Sequence, residues 1–501
     1  MIHSTSLLSL GSLLAVSSMA SAADIDWLGY HDVHRGVAWE GGVVPGPNDL
    51  AYVPTQTQYG GFIFRLDSAQ PLDVLGLQID RRASWMAASD GVLDSPSLLA
   101  RSMTLNGVTH AQLFDVYASV GSYRQHGYMG RLEISDAKFD VETTLTIESG
   151  LLWLRGGSRV RSSMVEVGHG SWLELDEDSR LEVGQFEYSA ATPLRMAGRL
   201  EINGQSSNIV NGRIEVSHSS RAIRSGLFVS GGFLKCGQQV NIGSGDVPEG
   251  GWAATLHVHN GGFIELLNAL NIDHGSVACN ANSTLMVRGP VTSNTGRLSI
   301  WGDFVALDDM VLDGGTTSVY GSIGSDGLIH LKSGALSCVG GGRIDTPHLI
   351  CEGTLMFRQC NMVSSTVPEL AIIHAGTFER GGTIVVRDPS NAYPGMVREL
   401  VHANEITGTW NSVLLESFDE DLHVSMELVE TDQSITIRFD SEKPGDVDGN
   451  GDVSFDDLHT VLSNWGEMSV PTRCWRHPAD IDASGRVNIS DLLILLSNYG
   501  S

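Results

Sequence analysis

Val165-Glu-Val167-Gly-His-Gly-Ser-Trp-Leu173-Glu-Leu175-Asp-Glu-Asp-Ser-Arg-Leu181-Glu-Val183 repeats one phrase three times: aliphatic, any residue, aliphatic. The copies start at 165, 173 and 181, an even offset of eight residues. Alternation at period two over so short a run means strands with one buried face. The glycine, serine and acidic clusters between them are turns. Strands this short at this spacing are what successive sides of a stacked coil require.

The same phrase recurs from about residue 130 to 390. It is found at Leu132-x-Ile134, Leu145-x-Ile147, Leu200-x-Ile202, Ile214-x-Val216 and Leu227-x-Val229, and again at Leu256-x-Val258, Leu285-x-Val287, Leu298-x-Ile300 and Leu355-x-Phe357. No strict repeat unit accompanies it, so leucine-rich and propeller arrays fit poorly. The expectation is a mainly β protein built as a right-handed parallel β-helix, a β-solenoid, followed by a small α-helical domain. A pair of β-sandwiches is the competing reading, because Asn203-Gly204, Asn211-Gly212 and Asn260-Gly261 are hairpin signals.

Composition agrees with an extended, turn-rich chain. Its 501 residues include 58 Gly, where average usage gives about 35. The hydrophobic share of 42% is ample for a large core and excludes wholesale disorder. The net charge of −28 argues against nucleic acid and anionic membrane surfaces, since a phosphate-binding face needs clustered Lys and Arg. Acidity of this size also raises the question of divalent cations.

Residues 1–22 read as a secretory signal peptide. An apolar stretch from Leu7 to Val16 precedes Ala20-Ser21-Ala22, the small-residue pattern of a cleavage site. No other apolar run is long enough for a transmembrane helix, so the expectation is a secreted or cell-surface protein. Cys236, Cys279, Cys338, Cys351, Cys360 and Cys474 fit no zinc pattern. Disulfides, with Cys338, Cys351 and Cys360 near enough in sequence to meet, and buried free thiols both stay open.

The C-terminal segment carries the most specific signal. Asp446-Val-Asp448-Gly-Asn450-Gly451-Asp452-Val453-Ser454-Phe-Asp456-Asp457 spans twelve residues, and Asp480-Ile-Asp482-Ala-Ser484-Gly485-Arg486-Val487-Asn488-Ile-Ser490-Asp491 repeats its frame. Oxygen-bearing residues at positions 1, 3, 5, 9 and 12, with Gly at 6, are the spacing of an EF-hand loop. Position 7 offers its backbone carbonyl, so Asp452 and Arg486 both suit it. The expected ligands of two Ca²⁺ ions are therefore Asp446, Asp448, Asn450, Asp452, Ser454 and Asp457, then Asp480, Asp482, Ser484, Arg486, Asn488 and Asp491. An amphipathic helix follows each loop, through Leu458, Val461, Leu462 and Trp465, then Leu492, Leu495, Leu496 and Tyr499. Gly466 and Gly500 suit the ends of these helices.

The segment resembles a type I dockerin: two calcium loops, each followed by one helix, with Asp at position 12, where Asp457 and Asp491 match. In cellulosomal dockerins positions 10 and 11 carry much of the recognition of a cohesin, often as Ser/Thr pairs. Here they are Phe455-Asp456 and Ile489-Ser490, a departure from that pattern. The resemblance implies calcium binding and attachment to a cohesin-like or cell-surface protein. Two further stretches are similar to parts of bacterial secreted, autotransporter-passenger-like β-helix proteins. Trp39 to Val53, with Pro45-Gly-Pro47 and Asp49-Leu-Ala51, followed by Leu72-Asp-Val74-Leu-Gly76-Leu77-Gln-Ile79, resembles their N-terminal cap and first coil. Leu400 to Ala403, Ile406 to Trp410 and Ile435-Thr-Ile437 resemble their closing strands. The implied organisation is signal peptide 1–22, cap and first coils 23–130, solenoid with closing strands 131–440 and dockerin-like domain 441–501.

No catalytic motif is present: GxSxG, HExxH and a phosphate loop are all missing. The acidic groups Asp176-Glu177-Asp178, Asp308-Asp309 and Asp419-Glu420-Asp421 read as solvated turns. His257-x-His259 places two imidazoles on one side of a strand with no third metal ligand assignable, and Asp80-Arg81-Arg82 carries no signal. The functional expectation is an exported calcium-binding protein whose non-catalytic solenoid serves adhesion or surface structure and whose tail attaches it to a protein. A polysaccharide lyase or glycoside hydrolase on the same scaffold is one alternative. A non-catalytic carbohydrate-binding protein is the other, so polysaccharide is a second candidate partner.

Overall fold

The computed structural model describes residues 24–26, 43–53, 61–65, 72–79, 84–88, 98–106, 110–114, 116–126, 131–168, 171–176, 178–184, 194–196, 199–204, 206–211, 213–217, 225–243, 253–358, 373–387, 397–416, 424–441, 443–466, 479–482, 484 and 486–501. The signal-peptide stretch 1–22, Trp39, Asp80-Arg81-Arg82, Glu177, Cys360, Asp419-Glu420-Asp421, Cys474, Trp475 and Gly485 lie outside the described residues.

Each aliphatic phrase forms a short strand that buries its aliphatic residues and turns the intervening one outward. Leu173 and Leu175 are fully buried in the strand Ser171–Leu175. That strand lies parallel between Gly150–Arg155 and Arg199–Asn203, so Leu152, Leu173 and Leu200 stand in one register row and Leu154, Leu175 and Ile202 in the next. Removing one such leucine side chain from water is worth about 1.5–3 kcal/mol, and every row repeats the gain.

Among the described residues the solenoid's ladders number three. The first face continues from Arg199–Asn203 through Gly226–Ser230 to Thr255–His259. The second pairs the early part of Arg159–Val167 with Arg180–Val183. The third pairs the later part of Arg159–Val167 with Leu194–Met196 and then Ile214–Val216. The three phrases of the opening stretch thus fall on three different faces, as expected for sides of one coil. Circuit length varies, from nineteen residues between Arg297 and Thr316 to thirty between Phe233 and Phe263, which is why no strict repeat is visible. The result is a large, almost wholly parallel sheet system, compatible with the expected β-helix, around a single aliphatic cluster running from Ala51 to Phe439.

The sandwich reading fails at Asn203-Gly204 and Asn260-Gly261, while Gly212 of the third pair lies outside the described residues. Asn260 and Gly261 do take the left-handed conformation of a tight turn (φ 54° and 80°). The strands they join, Thr255–His259 and Phe263–Leu266, pair with strands of neighbouring coils and not with each other. The turn is a corner between faces.

Apart from one isolated antiparallel bridge between Asn203 and Gly231, antiparallel pairing among the described residues appears at the end of the ladders. Val397–Gly408 lies parallel to Ile373–Arg380 on one side and antiparallel to Ser434–Ser441 on the other, and Val424–Glu430 extends that hairpin. This closes a ladder edge that would otherwise offer free N–H and C=O groups.

Beyond Ser441 a separate small core forms from Val447, Val453, Val461, Ala479, Val487 and Leu495. It joins the two helices α1 (Phe455–Ser463) and α2 (Ile489–Ser497). Both start inside the twelve-residue loop frames, not after them, because position 9 is the N-cap and position 12 the third helical residue. The apolar stripe is also split. Val461 and Leu495 are buried, while Leu462 and Leu496, 51% and 49% exposed, face out. Helices of two turns packed only on one another cannot cover both sides of their stripe. Among the described residues no helix is long and apolar enough to cross a membrane.

The four described cysteines, Cys236, Cys279, Cys338 and Cys351, are buried thiols with no disulfide among them. Cys338 lies in register with Val319 and Phe357 on the first face, whereas Cys351 pairs with Leu331 and Arg380 on the third. The thiol alternative therefore holds for these four.

Candidate functional site

The two loops share one local logic. Ser454 caps α1 by accepting from Asp456 N at 3.2 Å, and Asp457 Oδ2 accepts from Ser454 N at 2.8 Å, a reciprocal capping box. Asn488 and Asp491 do the same for α2, at 2.8 Å in each direction. The carboxylate at position 12 is thereby fixed at a helix start, where negative charge is favoured. Its other oxygen closes the loop: Asp457 Oδ1 accepts from Val447 N and Asp448 N at 2.6 and 3.1 Å, and Asp491 Oδ1 from Asp482 N at 3.0 Å.

Position 1 is enclosed by backbone donors. Gly449 and Asn450 donate to Asp446 Oδ1 at 2.8 and 3.1 Å, and Gly451 donates to Oδ2 at 2.8 Å. Ser484 N donates to Asp480 Oδ1 at 3.0 Å. The positive φ of Gly449 and Gly451 (74° and 91°) lets the chain turn this tightly.

Each loop gathers ligand oxygens. Asp446, Asp448 and Asp457 bring carboxylate oxygens within 4.8 Å of one another, and so do Asp480, Asp482 and Asp491. In both, positions 1 and 12 are buried to 1% exposure or less. Two unit charges about 4 Å apart repel by about 4 kcal/mol at an effective dielectric of 20, so ionised carboxylates at this spacing call for a cation. Burial, then the nearby Asp457 and Asp446, push the Asp448 carboxyl above its ordinary value. Burial opposes ionisation of Asp482 too, but hydrogen bonds from Ser484 and with Asp491 and Asp480 outweigh it, and its carboxyl lies below the ordinary value.

The remaining expected ligands sit around these triads. Asn450 Oδ1 accepts from Asp452 N at 2.8 Å, and Ser454 Oγ lies 3.1 Å from Asp457 Oδ2. The Asn488 amide donates to Ser484 Oγ and to the Arg486 carbonyl at 3.1 and 2.9 Å, which draws positions 5, 7 and 9 of the second loop together. The Asp452 side chain points away, 83% exposed and 3.7 Å from Lys443 Nζ, leaving position 7 its carbonyl. The donor set is all oxygen, the chemistry of a hard cation such as Ca²⁺.

The solenoid places other groups differently from the sequence reading. Asp176 is no solvated turn residue, since it accepts from Trp153 Nε1 at 2.7 Å and from Asn203 Nδ2 at 2.9 Å. It continues an outward line with Trp172 and Glu174 on the first face, where Glu174 stands in register with Trp153 and Glu201. Burial, then Asp176 and Glu201, raise the Glu174 carboxyl above its usual value. Alternation in the sequence already put Trp172, Glu174 and Asp176 on one side. Glu201, twenty-seven residues on, joins them only through register.

Asp308 and Asp309 do act as turn residues: Asp308 Oδ1 accepts from Asp309 N, and Asp309 Oδ1 from Leu328 N, both at 2.8 Å. His257 and His259 face outward with rings 4.8 Å apart, and Phe228 meets His257 edge-on at 6.0 Å. Among the described residues, only the two loop triads bring three His, Cys, Asp or Glu ligand atoms together. Set against family models, curated proteins and solved structures, the chain matches none of them.

Proposed function

We propose that the chain is an exported calcium-binding protein in which a right-handed parallel β-helix, serving adhesion or surface structure without catalysis, is attached to a protein partner by a dockerin-like tail. The right hand follows the general rule for parallel crossovers. The attachment reading rests on one observation above all. The two helices expose matched apolar pairs, Phe455 and Ile489 at 65% and 55%, Leu462 and Leu496 at 51% and 49%, Trp465 and Tyr499 at 46% and 49%. Clustered exposed apolar side chains rimmed by polar groups mark interaction surfaces. Calcium in the loops fixes the helix starts and so the spacing of these pairs. The test is capture from a cell-envelope fraction, with mass-spectrometric identification of what is held. A protein retained by the full chain in calcium, and released both by chelator and by Phe455→Asp with Ile489→Asp, supports attachment. Retention indifferent to both contradicts it.

A polysaccharide-degrading enzyme is the second reading, favoured by the raised carboxyl of Glu174 beside Asp176 and Glu201 with the 39% exposed Trp172 alongside. A carboxyl raised above its ordinary value and set beside further carboxyl groups is the kind of grouping that glycoside hydrolysis uses. Reducing ends or unsaturated products released from a polysaccharide panel, and lost in Glu174→Gln, would establish it over the non-catalytic reading.

A further inference from the structure

A notch of about 490 Å³ opens at the corner between the first and second faces, lined by Asp136, Lys138, Gly156, Arg159, Asp178 and Arg180. Three features set it apart from the other corners. First, Lys138, Arg159 and Arg180 stand in one register row on successive coils. Parallel neighbours lie about 4.8 Å apart, so three cations are stacked where opposite or neutral partners are favoured. Such a stack is unexpected in a chain of net charge −28.

Second, the members of the row differ in their surroundings. Arg159 pairs with Glu182 at 2.6 Å, and Lys138 lies over the Tyr117 ring at 5.7 Å. Arg180 is exposed and has no ion pair among the described residues. Third, the middle coil presents no side chain at the corner. Gly156 and Gly157 hold φ of 58° and 73°; the Asp136 carboxylate packs over Gly156, 2.8 Å from where a Cβ would stand, while a Cβ on Gly157 would meet nothing within 4 Å. The carboxylates of Asp136 and Asp178 flank that space one coil to either side.

We propose that this notch binds an acidic sugar unit of an anionic polysaccharide. Such a unit carries one carboxylate among several hydroxyls. The cation row takes the carboxylate by charge-assisted hydrogen bonds, Arg180 foremost because it is exposed and has no ion pair among the described residues. Asp136 and Asp178 accept from the hydroxyls. Gly157 leaves room for the ring beside the Asp136 carboxylate, and the volume lies in the range of small-ligand sites. The mixture of signs selects against a densely charged polyanion, which the flanking carboxylates and the overall charge repel. This proposal requires neither catalysis nor the attachment role of the tail.

The experiment is affinity electrophoresis of the full-length protein in calcium buffer through gels holding polygalacturonate, its fully methyl-esterified form, or dextran sulfate. Retardation by polygalacturonate alone is expected. Arg180→Gln should weaken it about ten-fold and Asp178→Asn measurably, while the far-UV spectra of both exposed-site variants match the parent. No retardation by polygalacturonate, equal retardation by dextran sulfate or by the esterified polymer, or retardation unchanged in Arg180→Gln would each overturn the proposal.

Discussion

The backbone N–H of Gly466, at the end of α1, donates to the carbonyl of Val487 in the second loop at 2.9 Å. The reciprocal bond runs from Gly500, at the end of α2, to Val453 in the first loop at 2.8 Å. Each helix is therefore tied off on the other's calcium loop, and both valines lie in the shared core. Gly466 and Gly500 make these bonds with φ of 79° and 81°, the left-handed conformation glycine supplies most easily. The two loops are expected to fold as one unit. Asp480→Asn, in the second loop, should weaken calcium binding by the first as well, by about ten-fold or more overall. Fluorescence of Trp465, in the turn just after α1, during calcium titration of the full chain checks this. An unaltered Trp465 response in Asp480→Asn would mean independent loops.

Burial raises the thiols of Cys236 to about 11 and of Cys279, Cys338 and Cys351 to about 12. The thiolate is the reactive form, so these four should resist iodoacetamide at neutral pH in the folded protein. All four should label rapidly once the chain is unfolded in denaturant. Peptide mapping of native-state labelling decides the matter, and modification of any of them before unfolding would contradict the core assignment.

Glu174 gives a pH-dependent prediction. Its folded-state carboxyl is raised above the ordinary 4.5, so the folded protein holds this proton more tightly than the unfolded chain does. The stabilising contribution is complete below 4.5 and is lost as pH rises through the folded value. At neutral pH the ionised group is a liability beside Asp176 and Glu201. Glu174→Gln should accordingly raise the thermal midpoint at neutral pH, with the gain shrinking on acidification below that range. A gain that persists undiminished in acid would point to a cause other than charge.

Close stacking of coils makes some glycines irreplaceable and leaves others free. A Cβ on Gly302 would lie 2.3 Å from the Asn280 carbonyl oxygen and 2.4 Å from that of Ser283, whereas one on Gly324 would meet nothing within 4 Å. Gly302→Ala should destabilise by about 1–3 kcal/mol through forced backbone shifts, and Gly324→Ala by little. Urea unfolding of the pair of variants measures the difference.

Much of the architecture was legible because its period is local. Leu173 and Leu175, or Leu200 and Ile202, announce a buried strand edge from four residues of sequence, and every such phrase named above lies in a strand. The calcium frames were equally local, since the triads Asp446, Asp448, Asp457 and Asp480, Asp482, Asp491 come from contiguous twelve-residue stretches. What escaped was non-local. With circuits of variable length, nothing in the sequence says that Glu174 meets Glu201 or that Lys138, Arg159 and Arg180 form a row. Asp176 looked like a turn residue because its partners, Trp153 and Asn203, sit a coil away on either side. The outward turn of Leu462 and Leu496 was missed for a related reason, because a helical stripe does not reveal how much of it a small partner helix can cover.

The central claim is that the C-terminal loops hold calcium, and calorimetric titration of the chelator-stripped full-length protein tests it most directly. Two calcium ions per chain are expected for the parent and none for the variant carrying Asp446→Asn and Asp480→Asn. No calcium uptake by the parent, or uptake unchanged in the double variant, would contradict the account.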